Sequence, residues 1–281
     1  MAEREKVKKI SKKIVKKIST KKKTVKKVTK KVLVKLKKSL HNPIIGPRLY
    51  AWESKATFNP TAFLANGRVS LIYRAIGDTD SSVLGYAGSA DGYHIDERLP
   101  HAVFERLNNF SRDSFSSSPI NYISGGGWNG GCEDPRTTLL DNTVYMLYTA
   151  FDGWGSLRIA LTSIKLDDFE KKRWKWKNPV LISPVNEIHK NWVLFPEKIK
   201  GKFAILHSIS PNIMIDYFDS LDELNGNKFI HSIHNRDALW ASSNKFVRGA
   251  GPAPIKTKDG WLVLYHVIEK NDSNKYKLFA M

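Results

Sequence analysis

Cysteine is almost missing from these 281 residues. Cys132 stands alone, so no disulfide within the chain can staple the fold, which suits a reducing compartment. Long apolar runs are missing too. None approaches the ~18–20 residues of a membrane-spanning helix. Lysine interrupts every apolar stretch near the N-terminus before a signal-peptide core of ~7–15 residues can form. The expected location is the cytoplasm, with no transmembrane segment. The eight histidines are scattered, and no His/Cys cluster has metal-ligand spacing. No Gly-Lys-Ser/Thr follows the glycines of "SGGGWNGGCEDPRTTLL" (124–140), which excludes a phosphate-binding P-loop. A Gly-x-Ser-x-Gly nucleophile elbow is also absent.

Acidic residues are scarce in one place only. Residues 1–40 hold 18 Lys/Arg, one of them Arg, against 2 Glu, a net of +16 out of +19. Residues 41–281 are nearly neutral, with 28 basic and 25 acidic side chains. The basic pI therefore describes the tail, and the remainder gives no compositional reason to expect nucleic-acid binding. We read residues 1–40 as a low-complexity tail and 41–281 as the folded domain. In the tail, Val7, Ile10, Ile14, Ile18, Val25, Val28 and Val32 sit at roughly helical spacing, as in a basic amphipathic helix. β-Branching and like charges four residues apart weaken such a helix. The tail is expected to be disordered in dilute solution or helical on an anionic surface such as RNA, DNA or acidic lipid.

Beyond His41 a repeat is visible. "TAFLANGRVSLIYRA" (61–75), "RTTLLDNTVYMLYTA" (136–150), "PEKIKGKFAILHS" (196–208) and "PAPIKTKDGWLVLYH" (252–266) share one plan. A strand meets a two-residue turn (Asn66-Gly67, Asp141-Asn142, Lys200-Gly201 or Asp259-Gly260), and a second strand returns. Asn-Gly and Asp-Gly favour such turns because both positions need positive φ. A third strand follows in each unit, beginning near Ser82, Ser156, Pro211 and Tyr276. Repeated antiparallel meanders predict an all-β fold, a propeller of four visible blades or two stacked sheets. The last unit stops at Met281, so the final blade is expected to be incomplete.

The chemistry-bearing stretch is Glu133-Asp134-Pro135-Arg136, placed by the pattern just before a strand. Pro135 predicts an extended Asp134, and Arg136 can hold a carboxylate ionised or bind an anion. Catalysis and a buried ion pair that stitches two blades both remain open on the pattern alone.

Five blocks in order, "FNPTAFLANGRVSLIYRAIG", "SSVLGYAGSADGYHI", "GGCEDPRTTLLDNTVYMLYTAFDG", "WVLFPEKIKGKFAILHS" and "GPAPIKTKDGWLVLYH", resemble the β-mannoside phosphorylases of glycoside hydrolase family 130. The resemblance runs from about Asn42 to Met281. It implies a five-bladed β-propeller that cleaves β-mannosidic bonds with inorganic phosphate as co-substrate and no cofactor or metal, inverting the anomeric centre to give α-mannose 1-phosphate. A single carboxylic acid then suffices, because phosphate is already an anion. Carried over by motif, Asp134 is the proton donor, acting through a sugar hydroxyl. Asn59, Arg74, Glu133 and Arg136 are substrate-binding, Lys198 and His207 are phosphate-binding, and His266 has a supporting role. Trp128, Trp154 and Trp192 offer flat faces for sugars or serve as core.

One departure bears on the reaction. Phosphorylases of this family usually follow the histidine with arginine, where this chain has Ser208. Losing charge-assisted hydrogen bonds of ~1.5–3 kcal/mol each weakens phosphate binding. The alternatives are therefore a β-mannoside hydrolase, a degenerate glycan-binding propeller, or a scaffold tethered by its tail. If the tail is a tether, deleting residues 1–40 is expected to abolish binding to heparin or RNA, binding that in the full chain falls steeply with salt. Retention unchanged by the deletion would refute the tether.

Overall fold

Residues 37–105, 129–152, 156–233, 245–269, 271–272 and 275–281 are described by the computed structural model. Most of the tail, together with Trp128 and Trp154, lies outside them. The regular secondary structure of the described residues is almost wholly strand. The exceptions are a single-turn helix α1 (Leu166–Glu170) and one 3-10 turn (Leu221–Glu223). No helix among them is long and apolar enough to cross a membrane.

Four antiparallel meanders follow one another. The first is β1 (Ala56–Ala65), β2 (Arg68–Ile76), β3 (Ser82–Ser89) and β4 (Glu97–Arg98). The second is β5 (Gly131–Leu140), β6 (Thr143–Phe151), β7 (Leu157–Lys165) and β8 (Val180–Leu181). The third joins β9 (Val193–Leu194), β10 (Phe203–Ser208) and β11 (Met214–Phe218). In the fourth, β12 (Lys245–Ala250) and β16 (Tyr276–Ala280) flank β15 (Leu264–Glu269), beside a hairpin of β13 (Ile255–Thr257) and β14 (Gly260–Leu262). One parallel bridge, Ser82 to Gly131, joins the ladders of the first two meanders into one sheet.

The hairpins follow their turn chemistry. Asn66 and Gly67 have φ of 47° and 76°, and Asp141 and Asn142 have 50° and 56°. Both turns thus carry positive φ at both central positions, the pairing that matches strand twist. Lys200 and Gly201 are also left-handed, at 51° and 81°, but a single bridge from Ile199 to Lys202 closes that turn. The fourth turn is shifted by one residue from the sequence expectation. Thr257 pairs with Gly260, leaving Lys258 and Asp259 as the loop.

Side-chain alternation stacks the meanders face to face in chain order. Val144, Met146 and Tyr148 of β6 pack with Ile72, Leu84 and Phe104. Leu147, from the other face of β6, packs with Trp192, Leu194 and Ile205. Val193 and Leu206 in turn meet Ala250 and Val263. Trp192 is 1% exposed within this core, so its ring serves packing and not, as offered above, a sugar face.

Gly131 carries the join between the first two meanders. Its φ is +115°, and a Cβ there would stand 2.1 Å from the Ser82 carbonyl oxygen. Gly131→Ala is expected to destabilise the fold by at least ~2 kcal/mol, read as a lowered denaturation midpoint. An unchanged midpoint would show that the bridge is dispensable.

Candidate active site

The Glu133–Arg136 stretch lies inside β5, not before it, and it breaks the ladder. Glu133 pairs with Thr149 and Arg136 with Leu147, so β5 carries one extra residue there. The first meander has the same irregularity. Phe58 pairs with Arg74 and Thr61 with Ile72. The residue ahead of proline is left-handed in both bulges, with φ of +48° at Asp134 and +49° at Asn59. This corrects the extended Asp134 expected from Pro135. Hydrogen bonds from Asn59 and Arg74 to its side chain outweigh the local preference of a pre-proline residue. Bulges re-aim side chains, and these two aim at each other. The Nδ2 of Asn59 donates to Asp134 Oδ1 at 2.7 Å. Behind them the Thr137 amide donates to Thr61 Oγ1 at 3.0 Å, strapping β1 to β5.

Arg74 ties both acids. One terminal nitrogen lies 2.9 Å from Glu133 Oε1 and the other 3.3 Å from Asp134 Oδ1, while its Nε donates to Ser82 Oγ at 3.0 Å. From the loop before β9, Lys190 Nζ donates to Glu133 Oε2 at 3.0 Å. Arg136 turns the other way, donating to the Pro135 carbonyl and to Asn191 Oδ1 at 3.0 Å. Asn191 Nδ2 donates onward to the Arg248 carbonyl at 2.8 Å, linking the second meander to the fourth.

The neighbouring carboxyls are driven apart. For Glu133, fully buried, desolvation is the largest effect and outweighs Lys190 and Arg74, raising its pKa. Desolvation also pushes Asp134 upward. Lys190, Arg74 and Arg136, with the Asn59 hydrogen bond, overcome it and hold that carboxyl well below the usual carboxylate range. His266 senses the same cluster. Burial lowers its pKa first and Arg136 lowers it further, against Asp134.

Asn59, Arg74, Glu133, Asp134 and Arg136 are thus brought together, with His266 close by. Lys198 is not. Its Nζ sits 3.2 Å from Asp141 Oδ2 and 4.6 Å from the Phe203 ring centroid. Seven residues of strand, roughly 23 Å at ~3.3 Å each, separate Asp141 from Asp134, so Lys198 belongs to the hairpin end of the sheet. The lysine at the acids is Lys190, which sequence reasoning missed together with Asn191. The signal was slight, since both stand just ahead of the matched "WVLFPEK" block. His207 lies in a neighbouring cleft between the third and fourth meanders. Its ring is 5.5 Å from that of Trp192, and Nε2 is 3.5 Å from Asp216 Oδ1. Burial lowers its pKa, with Asp216 opposing. No group of three or more His, Cys, Asp or Glu among the described residues is placed to hold a metal ion.

A sequence profile of the β-1,4-mannooligosaccharide phosphorylases, glycoside hydrolase family 130, matches residues 19–281. The chain belongs to family 130. The family match reaches back into the lysine-rich segment. A 1,2-β-oligomannan phosphorylase of Thermoanaerobacter sp. (strain X514) is 35% identical over 258 residues, covering 88% of this chain and 75% of the relative. A glycosyl hydrolase structure from Bacteroides ovatus superposes with a TM-score of 0.60 at 23% identity, covering 86% of this chain and 74% of the other. Another structure, from work stating that the family 130 mannoside phosphorylases contain glycoside hydrolases targeting β-1,2 mannosidic linkages in Candida mannan, gives 0.60 at 22%, with 86% and 74% covered. The two structural likenesses are of fold.

The buried charges of this family 130 chain must stay balanced. Lys190→Met, which leaves Glu133 with Arg74 alone, is expected to destabilise the protein by about 2–4 kcal/mol. Lys198→Met at its exposed pair should change stability by less than ~0.5 kcal/mol. Denaturant unfolding distinguishes the two, and equal effects would contradict the placement of Lys190.

Proposed function

We propose that this protein cleaves β-mannosidic bonds by inverting phosphorolysis, releasing α-mannose 1-phosphate. The observation that carries the reading is Asp134, a carboxylate on a left-handed bulge, fixed by Asn59 and Arg74 and surrounded by more cations than acids. Arg74, Arg136 and Lys190 face Glu133 and Asp134. The excess positive charge suits an anionic nucleophile. The relative's name makes a β-1,2-linked mannoside the first substrate to assay.

In this reading the sugar beside the scissile bond lies against Asn59, while Arg74, buried behind it, holds Asp134 in place. Phosphate attacks the anomeric carbon from the opposite face, forming the new carbon–oxygen bond as the glycosidic one breaks. The leaving oxygen takes its proton from Asp134 through a sugar hydroxyl. A carboxyl held ionised in the free site cannot donate. A phosphate dianion bound nearby raises its pKa, so the acid form is made when both substrates are present. Glu133 is buried behind Arg74 and Lys190 and keeps them in place.

Several further readings accompany this one. The meanders are blades of a five-bladed β-propeller, supported by their stacking in chain order. Residues 1–40 are a separate basic segment that attaches the domain to an anionic surface. The single buried Cys132 fits a cytoplasmic setting. His207 contributes to the phosphate side from the neighbouring cleft.

Ser208 favours a second reading, hydrolysis, because its hydroxyl brings no charge to that cleft. The assay is sugar release from β-1,2-mannobiose with and without phosphate. Phosphorolysis predicts mannose 1-phosphate only in its presence, whereas equal release of free mannose without it would establish hydrolysis. Asp134→Asn should lower turnover by about 10²–10⁴-fold with the fold retained and the melting temperature lowered, since the ionised carboxylate offsets Lys190, Arg74 and Arg136. Near-wild-type turnover would remove Asp134 from the chemistry.

A further inference from the structure

The cleft between the third and fourth meanders carries an electrostatic signature of its own. Its polar lining includes Lys190, Asn191, His207, Ser208 and Arg248, and no carboxylate side chain among the described residues lines it. A cleft with two permanent cations and no acid attracts an anion. The two cations differ in availability. Lys190 already donates to Glu133. Arg248 has no carboxylate partner among the described residues. Its guanidinium lies 5.3 Å from the Phe246 ring centroid.

The backbone explains how Arg248 arrives there. Val247 pairs with Val267 and Gly249 with His266, so Arg248 is the extra residue of a bulge in β12. Gly249, at φ +117°, lets the chain pass against Asn191, where a Cβ would stand 2.9 Å from that of Asn191. Asn191 then holds the bulge through the Arg248 carbonyl and holds Arg136 through its own oxygen. The Arg248 charge also reaches the reacting end of the molecule, since it depresses His266 together with Arg136.

We propose that Arg248 is an oxyanion-binding residue, supplying the guanidinium that receives the phosphoryl group in the cleft shared with Lys190, His207 and Ser208. The assignment rests on the phosphorolytic reading of the same site. A planar guanidinium pairs with phosphate through two parallel N–H···O bonds, which Ser208 alone cannot provide.

The test compares wild type, Arg248→Met and Arg248→Lys in the full-length protein. Phosphate KM is measured at saturating β-1,2-mannobiose, and inorganic phosphate and α-mannose 1-phosphate are titrated calorimetrically without turnover. Arg248→Met should raise the phosphate KM and both dissociation constants at least tenfold while leaving the mannobiose KM within about twofold, and Arg248→Lys should recover part of the loss. A phosphate KM and affinity within twofold of wild type would overturn the assignment, as would weakening of the sugar phosphate alone. A wild type that turns over without phosphate defeats the phosphorolytic reading instead. In that case the titration still decides Arg248, since equal phosphate affinity of wild type and variant, or none in either, counts against it.

Discussion

The structure depends on one buried guanidinium. Arg74 extends, fully buried, from the second strand of the first meander to both acids of the second. Removing two adjacent carboxylates from water costs several kcal/mol each unless cations replace the solvent. Arg74 and Lys190 meet that cost from opposite sides of Glu133. The same guanidinium donates to Ser82, whose backbone bridges Gly131. Ion cluster and sheet-to-sheet joint are therefore one construction, and neither meander can move without uncovering charge.

The cluster also separates two side chains that are chemically almost alike. Glu133 and Asp134 are consecutive, yet the left-handed turn at Asp134 sends them to different surroundings. Glu133 is enclosed and its pKa rises. Asp134 adds Asn59 and Arg136 to the shared cations and its pKa falls. Environments that push two acids apart suit each to a distinct task, and in the proposed reaction Glu133 is the support and Asp134 the proton donor.

Much of the fold could be read from local sequence because its turns are local. Asn66-Gly67 and Asp141-Asn142 form tight turns that need only two residues to specify, and apolar alternation in Val144-Met146-Tyr148 marks a buried face. The fourth hairpin was off by one because Gly260, the residue most suited to a turn, completes the ladder with Thr257 instead. Asp134 was misjudged for a different reason. Proline sets a preference of its neighbour that partners 60 and 75 residues away override. The lysines show the same limit. Lys190 and Lys198 stand eight residues apart in a similar setting, and only the three-dimensional path of the chain puts one at Glu133 and the other at Asp141.

The two proline-bearing bulges have one more consequence. Proline has no N–H for a ladder, and asparagine and aspartate enter the left-handed region more readily than other residues with a side chain, so Asn59-Pro60 and Asp134-Pro135 suit a bulge and not a regular ladder. If β1 or β5 slid by one position against its neighbour, Pro60 or Pro135 would enter the regular ladder and every side chain of that strand would pass to the opposite face. The bulged alignment keeps both prolines out of the ladder, and in that alignment Asn59 faces Asp134. The same four residues, Asn59, Pro60, Asp134 and Pro135, thus disfavour mispairing and set the Asn59–Asp134 contact, so a correctly registered copy of this domain has Asp134 already in position.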